Sequence, residues 1–347
     1  MKRILLLLLV LSLLVLPVSA MDFTAPEVPE SGKEWMPSEP ETFGEGLWKV
    51  VRNAVSALNP DLADACRVCF QVFAAMLLVS LLRSFTGMSK RTVELAGALT
   101  VAGILLVSAN SLLRLAANTV VEISEYGKLL LPVMTAAMAA QGGVTGSAAL
   151  YAGTTLFDAI LSKAISGILI PLVYVSLALA VANCALGEDL LKKLQEFVKW
   201  LMTWCLKTIL YVFTGYIAIT GVISGGTDAA TLKATKLTIS GMVPVVGGIL
   251  ADASEAVLVG AGVMKNAAGV YGMLALLAVW IGPFLKIGAQ YLILKLTAAV
   301  CSVFGTKRTA QLIQDFSGTM GFLLGMTGSV CLLMLISTIC FMRGVGI

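Results

Sequence analysis

Residues 319–342 read TMGFLLGMTGSVCLLMLISTICFM, 24 positions without one Asp, Glu, Lys or Arg. A helix needs about 20 apolar residues to cross a hydrocarbon core of about 30 Å, so this stretch predicts a membrane span. Working outward, comparable apolar runs lie near 65–84, 92–113, 164–186, 201–224 and 268–294. The chain as a whole is 58% hydrophobic and 13% charged, with a mean hydropathy of +0.94. So few charges cannot cover a water-soluble globule. The expected fold is therefore all-α: a polytopic integral membrane protein with about six transmembrane helices.

Ahead of these runs, Lys2 and Arg3 precede the apolar stretch 4–16, and Val18, Ser19 and Ala20 supply small residues. That layout predicts a signal peptide over 1–20, or, uncleaved, a first membrane helix. Residues 21–46 hold Pro26, Pro29, Pro37 and Pro40 and seven acids against Lys33 alone. Such a composition predicts a disordered acidic tail, followed by the membrane domain 47–347. From residue 47 onward the chain carries 21 of its 24 Lys and Arg but 13 of its 20 Asp and Glu. This balance points to lipid headgroups, and the bilayer, as a partner and not to nucleic acid.

With the tail outside, the loops 83–91, 187–200 and 295–318 face the cytoplasm and carry Arg83, Lys90, Arg91, Lys192, Lys193, Lys199, Lys295, Lys307 and Arg308. That agrees with the positive-inside rule. Two of the loops are amphipathic. In 189–201, Leu190, Leu191, Leu194, Phe197, Val198 and Leu201 follow helical spacing; in 306–316, Leu312, Ile313 and Phe316 oppose Lys307, Arg308, Gln311 and Asp315. Both are expected to be interfacial helices or docking faces for a cytoplasmic partner.

An offset of 112 residues lays Leu131, Pro132 and Val133 over Val243, Pro244 and Val245, and Pro171 over Pro283. The pattern suggests an internal duplication, with repeats at about 92–200 and 201–317. Each copy contains a Gly/Ala-rich segment, 129–160 and 241–265, too interrupted for an ordinary span. These are expected to be broken or re-entrant elements, the kind that line pathways in transport proteins. The second is the more unusual, since Asp228, Lys233, Lys236, Asp252, Glu255 and Lys265 punctuate residues 224–272. Candidate pathway or structural residues are Pro132, Pro244, Gly247, Gly248, Asp252, Glu255 and Lys286. Lys286 is prominent because it falls inside the run 268–294, where an ionisable group either serves function or snorkels to the interface.

The chain has no histidine, which excludes HExxH zinc chemistry and His-activated nucleophiles. Asp158 and Asp252 occupy comparable Gly-rich segments, but the offset places Asp158 over Val270, so no matched aspartate pair emerges. Seven scattered cysteines read as packing residues, including the Cys66 and Cys69 CxxC that lacks a second pair. No catalytic, metal or cofactor-binding residue is assigned, and the expected role is non-enzymatic. A secondary transporter with a midplane site at the broken helices is the alternative, drawing on Asp158, Lys163, Lys207, Asp252, Glu255, Lys265 and Lys286.

Three stretches, TDAATLKATK (227–236), MVPVVGGILADASEAVLVGAGVMKN (242–266) and FGTKRTAQLIQDFSGTMGFLLGM (304–326), together resemble the stage III sporulation protein AE family of endospore-forming bacteria. The likeness runs from about residue 47 to the C-terminus. It implies a component of the channel complex joining mother cell and forespore, in the mother-cell membrane around the forespore, needed for late forespore gene expression. The partners it implies are other stage III A-operon proteins, including an ATPase and ring-forming membrane proteins, and stage II sporulation protein Q. Further copies of this chain are another partner class. The family supplies no catalytic residue to carry over.

Overall fold

The apolar runs are long and contain few breakers, so they form long helices that must shield one another's polar backbone and small side chains. The computed structural model describes residues 25–37, 42–85, 90–140, 144–186, 189–219, 267–304 and 307–344, and these contain helices and no strand. In chain order they are α1 (Glu30–Lys33), α2 (Phe43–Ser56), α3 (Asn59–Phe85), α4 (Lys90–Ala140), α5 (Val144–Ala164), a π-helical turn (Ile165–Leu169), α6 (Ile170–Leu186), α7 (Asp189–Ile219), α8 (Ala267–Phe304) and α9 (Lys307–Gly344). Six stretches among the described residues are long and apolar enough to cross a membrane: Asn59–Leu82, Thr92–Ala137, Ser147–Leu186, Leu190–Ala218, Ala268–Val303 and Lys307–Met342. Each expected span overlaps one of them, and the protein is a multi-pass helical membrane protein.

At the centre stands α9, which packs against α4, α5, α6, α7 and α8. Nearly all its side chains from Leu312 to Met342 are buried. A helix wrapped by others needs small residues where backbones approach, and needs its hydroxyls satisfied locally. Thr319, Thr327, Ser337 and Thr338 each donate to the carbonyl four residues back, at 2.8–3.2 Å. Around α9, the close approaches are made at glycines: Gly127 of α4 against Met334, and Gly269 of α8 against Met342.

Within 129–160 the described residues belong to α4, which runs to Ala140, and α5, from Val144; residues 141–143 lie outside the described residues. Pro132 is carried inside the 51-residue α4. Pro171 lies just past the π turn, whose Ile170 N–H reaches the Ile165 carbonyl. A proline cannot donate to the residue four back and its ring crowds that carbonyl, so the wider turn accommodates it. Its offset counterpart, Pro283, sits inside α8. The second Gly/Ala-rich segment, 241–265, lies outside the described residues. Both amphipathic stretches, 189–201 and 306–316, are built into the starts of the long helices α7 and α9.

The structure differs from expectation over the acidic stretch 21–46. Residues 25–37 pack on the bundle as a strap, and 43–46 already belong to α2. Val28, Gly32 and Pro37 are buried and Trp35 and Met36 half-buried, while Glu27, Glu30, Lys33 and Glu34 stay exposed. The apolar residues at 28, 32 and 35–36 share one side, which overrides the acid- and proline-rich average. Gly32 meets Val279 and Trp35 meets Gly282, directly beside Pro283 of α8. Ser31 donates to Glu122, and Tyr126 donates to the Pro26 carbonyl at 3.4 Å. Thr42 then caps α2 by accepting from the Glu45 N–H at 3.3 Å, and α2 lays Val50 and Ala54 on Ala278 and Ile281 of α8.

Candidate functional site: a polar cleft between α3, α4 and α8

Lys286 and Gln290 are four residues apart and share a face of α8. Asp61 and Asp64 share a face at the start of α3, where negative charge also complements the helix dipole. Ser108 and Ser111 do the same on α4. These groups meet in a cleft of about 420 Å³ whose remaining wall includes Val68, Ile104, Val107 and Leu112. Lys286 Nζ lies 2.8 Å from Asp61 Oδ1, with the two side chains 42% and 27% exposed. Lys286 is therefore neither bare in the apolar layer nor simply snorkelled; it has a carboxylate partner 225 positions earlier in the chain. Asp64 is mostly exposed and only loosely paired with Arg67 at 3.8 Å. Gln290 is 4% exposed, and its side-chain nitrogen has no partner. The cleft thus presents two carboxylates, an ammonium and an unmet amide donor beside an apolar wall.

Two further polar contacts cross the bundle. Ser124 of α4 donates to one carboxylate oxygen of Asp158 on α5 at 2.5 Å, while the other oxygen has no partner. One turn earlier on α5, Thr154 donates to Ser337 of α9 at 3.0 Å. At the other end of α9, Lys199 of α7 donates to Asp315 at 2.7 Å, and Gln311 adds a second bond at 3.3 Å. The two amphipathic stretches found by spacing are thereby bound to each other. The seven cysteines form no disulfide with one another, and Cys69 accepts from Thr297 at 2.8 Å.

Of the sequence candidates, Lys286 enters the cleft. Pro132 lies on α4 about 36 Å along the helix from Ser108, at 1.5 Å per residue, and is not brought to it. Pro244, Gly247, Gly248, Asp252 and Glu255 lie outside the described residues. Sequence reasoning missed Asp61, Asp64 and Gln290. The expected topology gave no signal for them: it puts Lys286 eight residues from the cytoplasmic end of the run 268–294, whereas the first turn of the first span lies at the outer face.

The family model described as stage III sporulation protein AE matches residues 39–346. A curated relative, stage III sporulation protein AE of Bacillus subtilis (strain 168), is 28% identical over 177 residues, 51% of this chain and 44% of the relative. The aligned part thus spans less than half of that relative's length. No solved structure matches the chain. The family match takes in every membrane-crossing helix described above, together with Asp61, Lys286 and the Lys199–Asp315 pair, and on that extent this chain belongs to the stage III sporulation protein AE family.

Proposed function

We propose that this protein is a membrane component of the channel complex linking mother cell and forespore, acting in the mother-cell membrane around the forespore and required for late forespore gene expression. The observation that carries the reading is the family match over residues 39–346, which covers the whole helical bundle. The bundle's dimensions agree with such a role. A helix of 51 residues such as α4 is about 76 Å long, well beyond a hydrocarbon core of about 30 Å. The surplus, with the strap bonded to it and α2 packed on α8 beside it, offers a surface outside the bilayer to intermembrane partners: ring-forming stage III A-operon proteins and stage II sporulation protein Q. The basic starts of α7 and α9 offer the opposite face to an ATPase. The role is non-enzymatic. Deleting the gene in its native spore former, and scoring a late forespore-specific reporter in cells that have completed engulfment, tests the proposal. Loss of reporter activity, restored by the intact gene, is expected; normal activity and normal spores would refute it.

A second reading, a secondary transporter, is favoured by one observation, the Lys286–Asp61 pair in a cleft at the edge of the apolar layer. Under it, Lys286→Met abolishes function while protein level stays normal. Loss of the protein itself would instead assign the pair to folding.

A further inference from the structure

The polar cleft does not end at its own rim. A second cavity, about 670 Å³ and largely apolar, follows the groove between α3 and α4 past Ala74, Leu78 and Leu82 on one side and Val93 and Ala96 on the other. Gln71 and Ile104 line both cavities, so the two adjoin along the same helices. We propose that this composite site seats one aminophospholipid, its ammonium and phosphate in the cleft and an acyl chain in the groove.

Charge selects the headgroup. An inorganic anion in the cleft would face the Asp61 and Asp64 carboxylates, and a simple cation would face Lys286 and leave the Gln290 nitrogen unmet. A headgroup carrying both signs satisfies each side: its ammonium takes the carboxylates, and its phosphate takes Lys286 and the buried Gln290 amide. Depth selects a lipid over a soluble zwitterion. The structure continues α8 as helix past the expected loop start at 295 to Phe304; counted at 1.5 Å per residue from the helix ends, Ser108 lies about 27 Å from the Lys90 end of α4, and Lys286 about 27 Å from the Phe304 end of α8. A hydrocarbon core of about 30 Å then puts the cleft at headgroup level. Gln71 lies about 15 Å along α3 from Asp61, and from there to Leu82 the groove runs about 16 Å further, so cleft and groove together are about as long as the hydrocarbon core is thick. Leu78 and Leu82, 61% and 50% exposed, form its open rim, where lipid tails reach it directly.

The test uses the full chain, purified in detergent and stripped of lipid, with native mass spectrometry and thermal melting as readouts. Phosphatidylethanolamine, phosphatidylglycerol and free glycerophosphoethanolamine are the probes. One phosphatidylethanolamine is expected to be retained and to raise the melting temperature, with phosphatidylglycerol about tenfold weaker, the ratio one lost charged contact produces. The free headgroup, lacking a chain for the groove, is expected to give no shift at the same concentration. Asp64→Asn in the cleft and Ala96→Phe in the groove are each expected to weaken phosphatidylethanolamine binding; both lie at exposed positions, and melting without lipid verifies that they fold. Gln290→Leu is a third variant at the buried donor. Equal affinity for the two lipids, equal affinity for the free headgroup, or unchanged binding by the Asp64 and Ala96 variants would overturn the proposal.

Discussion

The Lys199–Asp315 pair yields an asymmetric prediction. Asp315 is nearly buried, its side chain 9% exposed, whereas Lys199 is 35% exposed. Lys199→Met strips the carboxylate of its 2.7 Å partner and leaves only Gln311 at 3.3 Å. Breaking a fully buried pair costs about 3 kcal/mol or more; with Lys199 a third exposed, water and headgroups screen the pair and about 2 kcal/mol is expected. Asp315→Leu leaves a long cationic side chain that can turn outward to the headgroups, so the expected cost is below about 1 kcal/mol. The double variant should match Asp315→Leu and not the sum, because both changes remove one interaction. At roughly 2 °C per kcal/mol for a chain this long, Lys199→Met lowers the apparent melting temperature by about 4 °C and the other two by about 2 °C or less. The assay is scanning fluorimetry in one detergent at one scan rate. Equal losses from the two single variants, or an additive double variant, would refute the reasoning that the buried carboxylate is the vulnerable partner.

Three other outcomes follow from the packing. A Cβ at Gly153 of α5 would run into the ring of Tyr216, whose hydroxyl is tied to the Ala149 carbonyl at 2.7 Å. Gly153→Ala should therefore cost about 1–3 kcal/mol, while Gly127→Ala, which meets only the flexible end of Met334, should cost less; melting curves compare them. Trp35→Ala should free the strap from α8 and make residues 25–42 cleavable by a protease added from outside, at a concentration that spares the parent protein. Cys66 is the exposed thiol, Cys69 and Cys205 are half-buried, and Cys184, Cys301, Cys331 and Cys340 are buried, so a membrane-impermeant maleimide on intact cells should label chiefly one site, lost in Cys66→Ser; labelling only after lysis would reverse the orientation.

Hydropathy alone located the spans, because about 20 consecutive apolar residues admit few other structures. Proline spacing pointed to helices that need local adjustment, and Pro171 has its π turn. What hydropathy misses is pairing over distance. Lys286 stood out as a charge in an apolar run, but Asp61 looked like the ordinary acidic first turn of another helix. Asp315 and Lys199 were both visible on amphipathic faces, yet nothing local says that those faces meet. The strap failed for a different reason: acids and prolines dominate the average of 21–46, whereas Val28, Gly32, Trp35 and Met36 decide where it packs.

The position of α9 restricts how this molecule could take part in a conduit. Its axis is filled from Leu312 to Met342 by a close-fitted column, with hydroxyls turned back onto its own carbonyls. Opening a water-wide passage there would mean withdrawing the column that all five neighbouring helices lean on. Among the described elements, then, the monomer is a plugged cylinder. A lumen bordered by these described helices would be walled by their outer faces.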